Sequence, residues 1–135
     1  WEIGDSTVMV KGQNMSDSFN IVRHLKRVVE REELNLSGTR RLYDLNPLNE
    51  FNKLKILDIS NTDIVDLFPI RSLTTIEVLK CSGTMIEDLH PLKYCKSLEE
   101  IYIDNTPVHS IVVLSNFDLF KLLLFCRFHP AQLLS

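Results

Sequence analysis

The chain has 135 residues, 44% of them hydrophobic and 24% charged, with a net charge of −3. That length points to one domain, and the acidic balance argues against phosphate-driven nucleic-acid binding, which needs a strongly basic face. The longest apolar stretch is residues 122–126, far short of the 18 or so that a membrane-spanning helix requires, so no membrane span is expected.

The chain opens on Trp1-Glu2-Ile3-Gly4, with no initiator Met and no basic-then-apolar leader. It reads as a fragment or a trimmed product, which need not carry its natural targeting sequence. Residues 7–10, Thr-Val-Met-Val, read as a short strand. Residues 17–33 read as an amphipathic helix. Phe19, Val22, Leu25 and Val29 form one stripe, Ile21 and Val28 flank it, and Arg23, Lys26, Arg27 and Glu30 face away. Ser16, Asp17 and Ser18 are its candidate caps. Residues 1–32 are thus expected to form a strand-and-helix lid over the first coil of a repeat.

That repeat is marked by four short turns. They read Ser37-Gly38-Thr39, Ser60-Asn61-Thr62, Ser82-Gly83-Thr84 and Asp104-Asn105-Thr106, their threonines 23, 22 and 22 residues apart. A period in the low twenties is the signature of a solenoid, whose first use is as a binding surface. Registered on the threonines, one unit runs Leu54, Leu57, Ile59, Thr62, Ile64, Asp66, Leu67, Pro69, Ile70, Leu73. The next runs Ile76, Leu79, Cys81, Thr84, Ile86, Asp88, Leu89, Pro91, Leu92, Cys95. The third runs Leu98, Ile101, Ile103, Thr106, Val108, Ser110, Ile111, Val113, Leu114, Phe117. An earlier unit holds Leu34, Leu36, Thr39, Leu42, Asp44, Leu45, Pro47, Leu48 and Phe51, with one extra residue between Thr39 and Asp44. The register predicts a further strand with Phe120, Leu123 and Phe125 in its apolar slots.

Each unit carries its own physical logic. Leucine at alternate positions gives a short strand with two side chains on one face. Gly38, Asn61, Gly83 and Asn105 are residue types that tolerate positive φ, so a sharp turn is expected at each. Pro47, Pro69 and Pro91 fit the first turn of a short convex helix, where a missing N–H does no harm. Roughly seven apolar side chains per coil must be covered by neighbouring coils, because no coil buries them alone.

This pattern resembles the leucine-rich repeat family in its short 22-residue form, as in internalin-like and phosphatase-regulator proteins. The resemblance covers about residues 33–126, some four and a half units. It implies an α/β solenoid with a parallel concave sheet of about five strands, and residues 127–135 as a tail, cut short or covered by a partner. The departure is Thr39, Thr62, Thr84 and Thr106 where the family usually has Asn. There Asn bonds the backbone of the neighbouring coil, and a ladder of Thr hydroxyls is expected to do part of that work.

Reactive chemistry is scarce. No phosphate-cradling Gly-rich loop and no Gly-x-Ser-x-Gly elbow occurs. His24, His90, His109 and His129 lack the spacing of helical zinc ligands; His90 and His109 fall at comparable points of successive units and read as a solvated surface pair. Asp44, Asp66 and Asp88 form a column that could hold a cation, but each precedes Leu-x-Pro at one offset, and capping of the convex turn explains all three. Cys81, Cys95 and Cys126 cannot all pair. Cys81 and Cys95 occupy apolar slots, so buried reduced thiols are expected, which favours an intracellular, cytoplasmic setting, an organelle remaining open because a fragment need not carry its natural N-terminus. Asn14-Met15-Ser16 and Asn35-Leu36-Ser37 match the glycosylation triplet, but a glycan on Asn35 would cover the sheet.

The outward strand positions line up in columns. The first is Glu33, Ile56, Val78, Glu100, Leu122; the second is Asn35, Asp58, Lys80, Tyr102, Leu124. Ile56, Val78 and Tyr102 are apolar on a face that should be open, the mark of a protein-binding surface. Asp58 and Lys80 are adjacent and are expected either to pair with each other or to meet a partner. The expected site is therefore Ile56, Asp58, Val78, Lys80, Glu100, Tyr102, Leu122 and Leu124, with Thr39, Thr62, Thr84 and Thr106 as structural ladder. The expected function is a non-enzymatic module that binds a protein partner there, without cofactor, metal or small-molecule substrate. The alternative is a structural subunit of a multiprotein or ribonucleoprotein complex, using helix, convex face and C-terminal edge, and meeting nucleic acid only indirectly. Leu122, Leu123, Leu124 and Phe125 are apolar on both faces, so that edge is expected to be covered.

Overall fold

The computed structural model describes residues 2–3, 7–9 and 30–113, the first two segments by their backbone. One sheet contains six described strands in chain order: β1 (Glu2–Ile3), β2 (Thr7–Met9), β3 (Glu33–Asn35), β4 (Ile56–Asp58), β5 (Val78–Lys80) and β6 (Glu100–Tyr102). β1 runs antiparallel to β2, and every later pair is parallel. The strand read at residues 7–10 is β2. The two-residue β1 shows no alternation in the sequence and had no signal there. The expected fifth repeat strand, the helix stripe at residues 19–29 and the tail at residues 127–135 lie outside the described residues.

Between strands the chain returns along the convex side through three short 3-10 helices: η1 (Asn46–Glu50), η2 (Phe68–Ser72) and η3 (His90–Tyr94). Pro47, Pro69 and Pro91 sit in their first turns. An aspartate two residues before each helix sets the entry. Asp44 Oδ1 accepts the Asn46 N–H at 2.9 Å, Asp66 Oδ1 the Phe68 N–H at 2.8 Å and Asp88 Oδ1 the His90 N–H at 2.8 Å. These carboxylates satisfy amides the helix leaves without partners, a local role. In the next coil Ser110 replaces the aspartate, and the chain still bends into a 3-10 turn at Val112 and Val113.

The corner after each strand needs the left-handed region. Gly38 and Gly83 have φ of +70°, and Asn61 and Asn105 have φ of +56°. This conformation turns the N–H groups of Gly38, Asn61 and Gly83 toward the next coil, where they donate to the carbonyls of Ser60, Ser82 and Asp104 at 2.9–3.0 Å. Parallel pairing thus continues past the strand ends. The first coil's extra residue is absorbed by Arg41, which also turns left-handed, with φ of +57°.

The threonines work differently from the expectation. Thr62 Oγ1 donates to the Ile59 carbonyl at 2.7 Å, Thr84 Oγ1 to Cys81 at 2.7 Å and Thr106 Oγ1 to Ile103 at 2.6 Å. Each hydroxyl closes the turn of its own coil, three residues back. The backbone N–H groups of the corners already make the connection to the neighbouring coil.

Behind the sheet lies one core. Leu54, Leu57, Ile59, Ile64, Leu67, Ile70 and Leu73 are buried in one coil, and Ile76, Leu79, Cys81, Ile86, Leu89, Leu92 and Cys95 in the next. Each leucine or isoleucine among them contributes about 1.5–3 kcal/mol by leaving water. One boundary needs correction: the helix expected through residue 33 does not reach that far. Glu33 is in β3, because its backbone is held in register between Thr7 and Ile56.

Candidate protein-binding face

Strand alternation sends Leu34, Leu57, Leu79 and Ile101 into the core and leaves their flanking residues partly buried on the opposite face. Parallel register stacks those residues in columns. Glu33, Ile56, Val78 and Glu100 are successive partners, as are Asn35, Asp58, Lys80 and Tyr102. Neighbouring strands lie about 4.8 Å apart, so Ile56 touches the position of Val78, and Tyr102 stands one strand further on, in the other column. Leu122 and Leu124 lie outside the described residues.

Polar groups on this face are used locally. Asn35 Oδ1 accepts both the N–H and the hydroxyl of Ser37, at 3.0 and 2.7 Å. Asp58 Oδ1 accepts the Ser60 N–H at 2.9 Å. Lys80 does not take Asp58 as its partner: its ammonium stands 5.6 Å from the centroid of the Tyr102 ring. The Tyr102 hydroxyl donates to Glu100 Oε2 at 3.1 Å. A shallow recess of about 120 Å³ opens beside these groups, between Ile56, Asp58, Lys80 and β3.

Among the described residues, no three His, Cys, Asp or Glu side chains gather as a set of metal ligands. Burial pushes the Cys95 thiol up to about 11. Cys81 is raised further, first by burial and then by the charges of Asp104 and Asp58. Both thiols are free and buried, and point at carbonyls of adjacent coils, Cys81 Sγ at Tyr102 O (3.3 Å) and Cys95 Sγ at Ile70 O (3.7 Å). Protonated, enclosed sulfur is a poor nucleophile. His90 and His109 do line one open depression of about 470 Å³ on the convex flank, with Glu87, Asp88 and Lys93.

The sequence reading missed a second surface. Tyr43, Val65, Phe68 and Met85 are 53–66% exposed, more open than Ile56, Val78 or Tyr102. They lie on the flank where the chain leaves the sheet for the convex side. A signal existed: Tyr43 and Val65 occupy one slot, where later units have Glu87 and His109. The Phe68 ring is covered on one side by the Arg71 guanidinium, 3.7 Å from its centroid, which also donates to the Phe68 carbonyl at 2.8 Å.

No protein-family model matches this chain, and no curated protein matches it. Solved structures do. Internalin C2 of Listeria monocytogenes is 21% identical with a TM-score of 0.69, over 76% of this chain and 44% of that one. Internalin InlF of the same bacterium is 20% identical with a TM-score of 0.61, over 87% and 39%. The functional domain of InlJ, described as including a cysteine ladder, is 15% identical with a TM-score of 0.58, over 79% and 27%. The chain spans less than half the length of each. In contrast to a ladder, Cys81 and Cys95 occupy different slots of one coil. No helix among the described residues is long and apolar enough to cross a membrane.

Proposed function

We propose, for a chain that folds as a leucine-rich-repeat solenoid, that it is a non-enzymatic interaction module whose sheet face binds a partner protein. The observation that carries this reading is the adjacency of Ile56 and Val78 in one column, with Tyr102 one strand on. Three apolar or aromatic groups on the open side of a sheet, rimmed by charge, are what a protein-binding face is made of. Tyr102 is its anchor, since aromatic side chains carry a disproportionate share of interface energy. The buried reduced thiols of Cys81 and Cys95 support an intracellular setting.

The test is a comparison of variants against the natural partner, recovered by co-purification with the chain from its native source. Tyr102→Ala should weaken binding about 30-fold, or roughly 2 kcal/mol, with an unchanged melting temperature. His90→Ala, on the convex side, should bind as the parent does. Equal affinity of Tyr102→Ala and the parent would remove the sheet face from consideration.

The exposed flank favours a second reading, in which the chain is a structural subunit of a multiprotein or ribonucleoprotein complex. Val65 and Phe68 are 61% and 53% exposed, and such groups are commonly covered in an assembly. Under this reading Val65→Asp and Phe68→Asp abolish assembly while Tyr102→Ala is silent.

A further inference from the structure

We infer that the segment received by the sheet face is cationic: an extended stretch of protein bearing lysine or arginine, whose apolar side chains meet Ile56, Val78 and Tyr102. The inference rests on the reading that this face binds protein, and adds the chemistry of what it binds.

Charge on this side is lopsided. The face itself carries Glu33, Asp58, Glu100 and Asp104 against Lys80. Along the edge where the chain enters the strands, backbone bonds align Glu32, Lys55, Glu77 and Glu99 as a further column. There Lys55 is already held by Glu32 at 3.4 Å. Seven carboxylates against two ammonium groups make −5, whereas the other charged residues within 30–113 are seven acidic and seven basic and cancel. Among the described residues of this segment the net negative charge therefore belongs to this side of the solenoid. Its field reaches through the sheet, since Asp104 and Asp58 add to burial in raising the Cys81 thiol behind it.

The face also displays how a cation is seated. Lys80 lies 5.6 Å from the Tyr102 ring, whose hydroxyl bonds Glu100, and Asp104 stands two residues further on, holding the Ser82 hydroxyl at 2.6 Å. A ring face with carboxylates at its margin is a cation-binding arrangement. An incoming lysine or arginine would meet the same ring and the same acids, and would relieve the repulsion among carboxylates on adjacent strands. The aliphatic pair Ile56 and Val78 lies beside it for the apolar side chains of the guest. An anionic partner such as a nucleic acid would meet repulsion along the whole face.

The test uses three labelled twelve-residue peptides that alternate leucine with lysine, glutamine or glutamate, with affinity read by fluorescence anisotropy at low and high salt. The lysine peptide should bind at least about 10-fold tighter than the glutamine peptide at low salt, and lose most of that advantage at high salt. The glutamate peptide should not bind. The double substitution Glu100→Gln with Asp104→Asn should weaken the lysine peptide about 5-fold and leave the glutamine peptide unchanged. Tyr102→Ala should weaken both. Three peptides binding alike, yet all sensitive to Tyr102→Ala, would overturn the cationic preference and leave the sheet face as the binding surface. A lysine peptide indifferent to every one of these substitutions would overturn both, and so would its failure to bind.

Discussion

The side-chain amide of Asn61 lies against Gly83 in the next coil, at the spot a Cβ on Gly83 would fill. Both residues are left-handed, so the corners of the two coils nest: the side chain of one covers the bare Cα of the other. Gly38, in the equivalent position two coils before Gly83, has open space where its Cβ would be. The glycine is thus required twice over at one corner and only for its φ at the other.

Gly83→Ala should therefore cost about 2–3 kcal/mol, combining left-handed strain with displacement of the Asn61 amide. Gly38→Asn should cost less than about 1 kcal/mol, because asparagine already serves at two other corners. Chemical denaturation of both variants checks this. If the two proved equal, nesting of the corners would contribute nothing. Adding Asn61→Gly to Gly83→Ala should recover part of the loss, since glycine vacates the space and keeps the left-handed corner.

Removing a buried hydroxyl tests the turn closure. Thr62→Val and Thr84→Val should each lose about 1–2 kcal/mol, since the carbonyls of Ile59 and Cys81 lose their donor. The core truncations Leu57→Ala and Leu79→Ala should lose about 2–5 kcal/mol, because both residues are completely buried. Urea midpoints rank the four. A silent leucine variant would contradict the packing, and silent threonine variants would mean that the hydroxyl bonds are replaced at no cost by water.

The thiols give a pH dependence. Folding raises the Cys95 pKa from an ordinary 9.0 to about 11, so above pH 9 the folded chain holds a proton the unfolded chain releases. Its contribution is fully present below about pH 9 and is lost as the pH climbs toward 11. Cys81 acts in the same direction. Lysines and tyrosines titrate nearby, so the measurement is a difference: the parent should lose stability more steeply between pH 9 and 11 than Cys95→Val does. Parallel pH profiles would show that the thiol is not linked to folding.

Much of this fold was legible because a fixed offset converts one dimension into three. Once Thr62 and Thr84 are aligned, Ile56 must sit beside Val78 and Asp58 beside Lys80, and the sheet has that register. The apolar slots and the convex prolines were readable for the same reason. What the offset does not encode is side-chain direction. Asp58 and Lys80 are neighbours in their column, yet one turns to the Ser60 amide and the other to the Tyr102 ring. Nor does it mark exceptions to itself: Arg41 takes up the extra residue by a left-handed turn, which few would assign to arginine. The exposed flank at Val65 and Met85 went unread because alternation draws attention to strands and says nothing of the connections between them.

Backbone bonds at the corners join each coil to the next side by side, one coil-length along the chain. A pull on the two ends would thus not load all of them at once. It would peel the outermost coil while the rest held, as a zipper parts tooth by tooth. Each 22-residue coil released would lengthen the chain by about 75 Å, and the force needed at each step would reflect one junction alone. Mechanically the described coils are a series of extensible links, able to give way one at a time while the others stay in place.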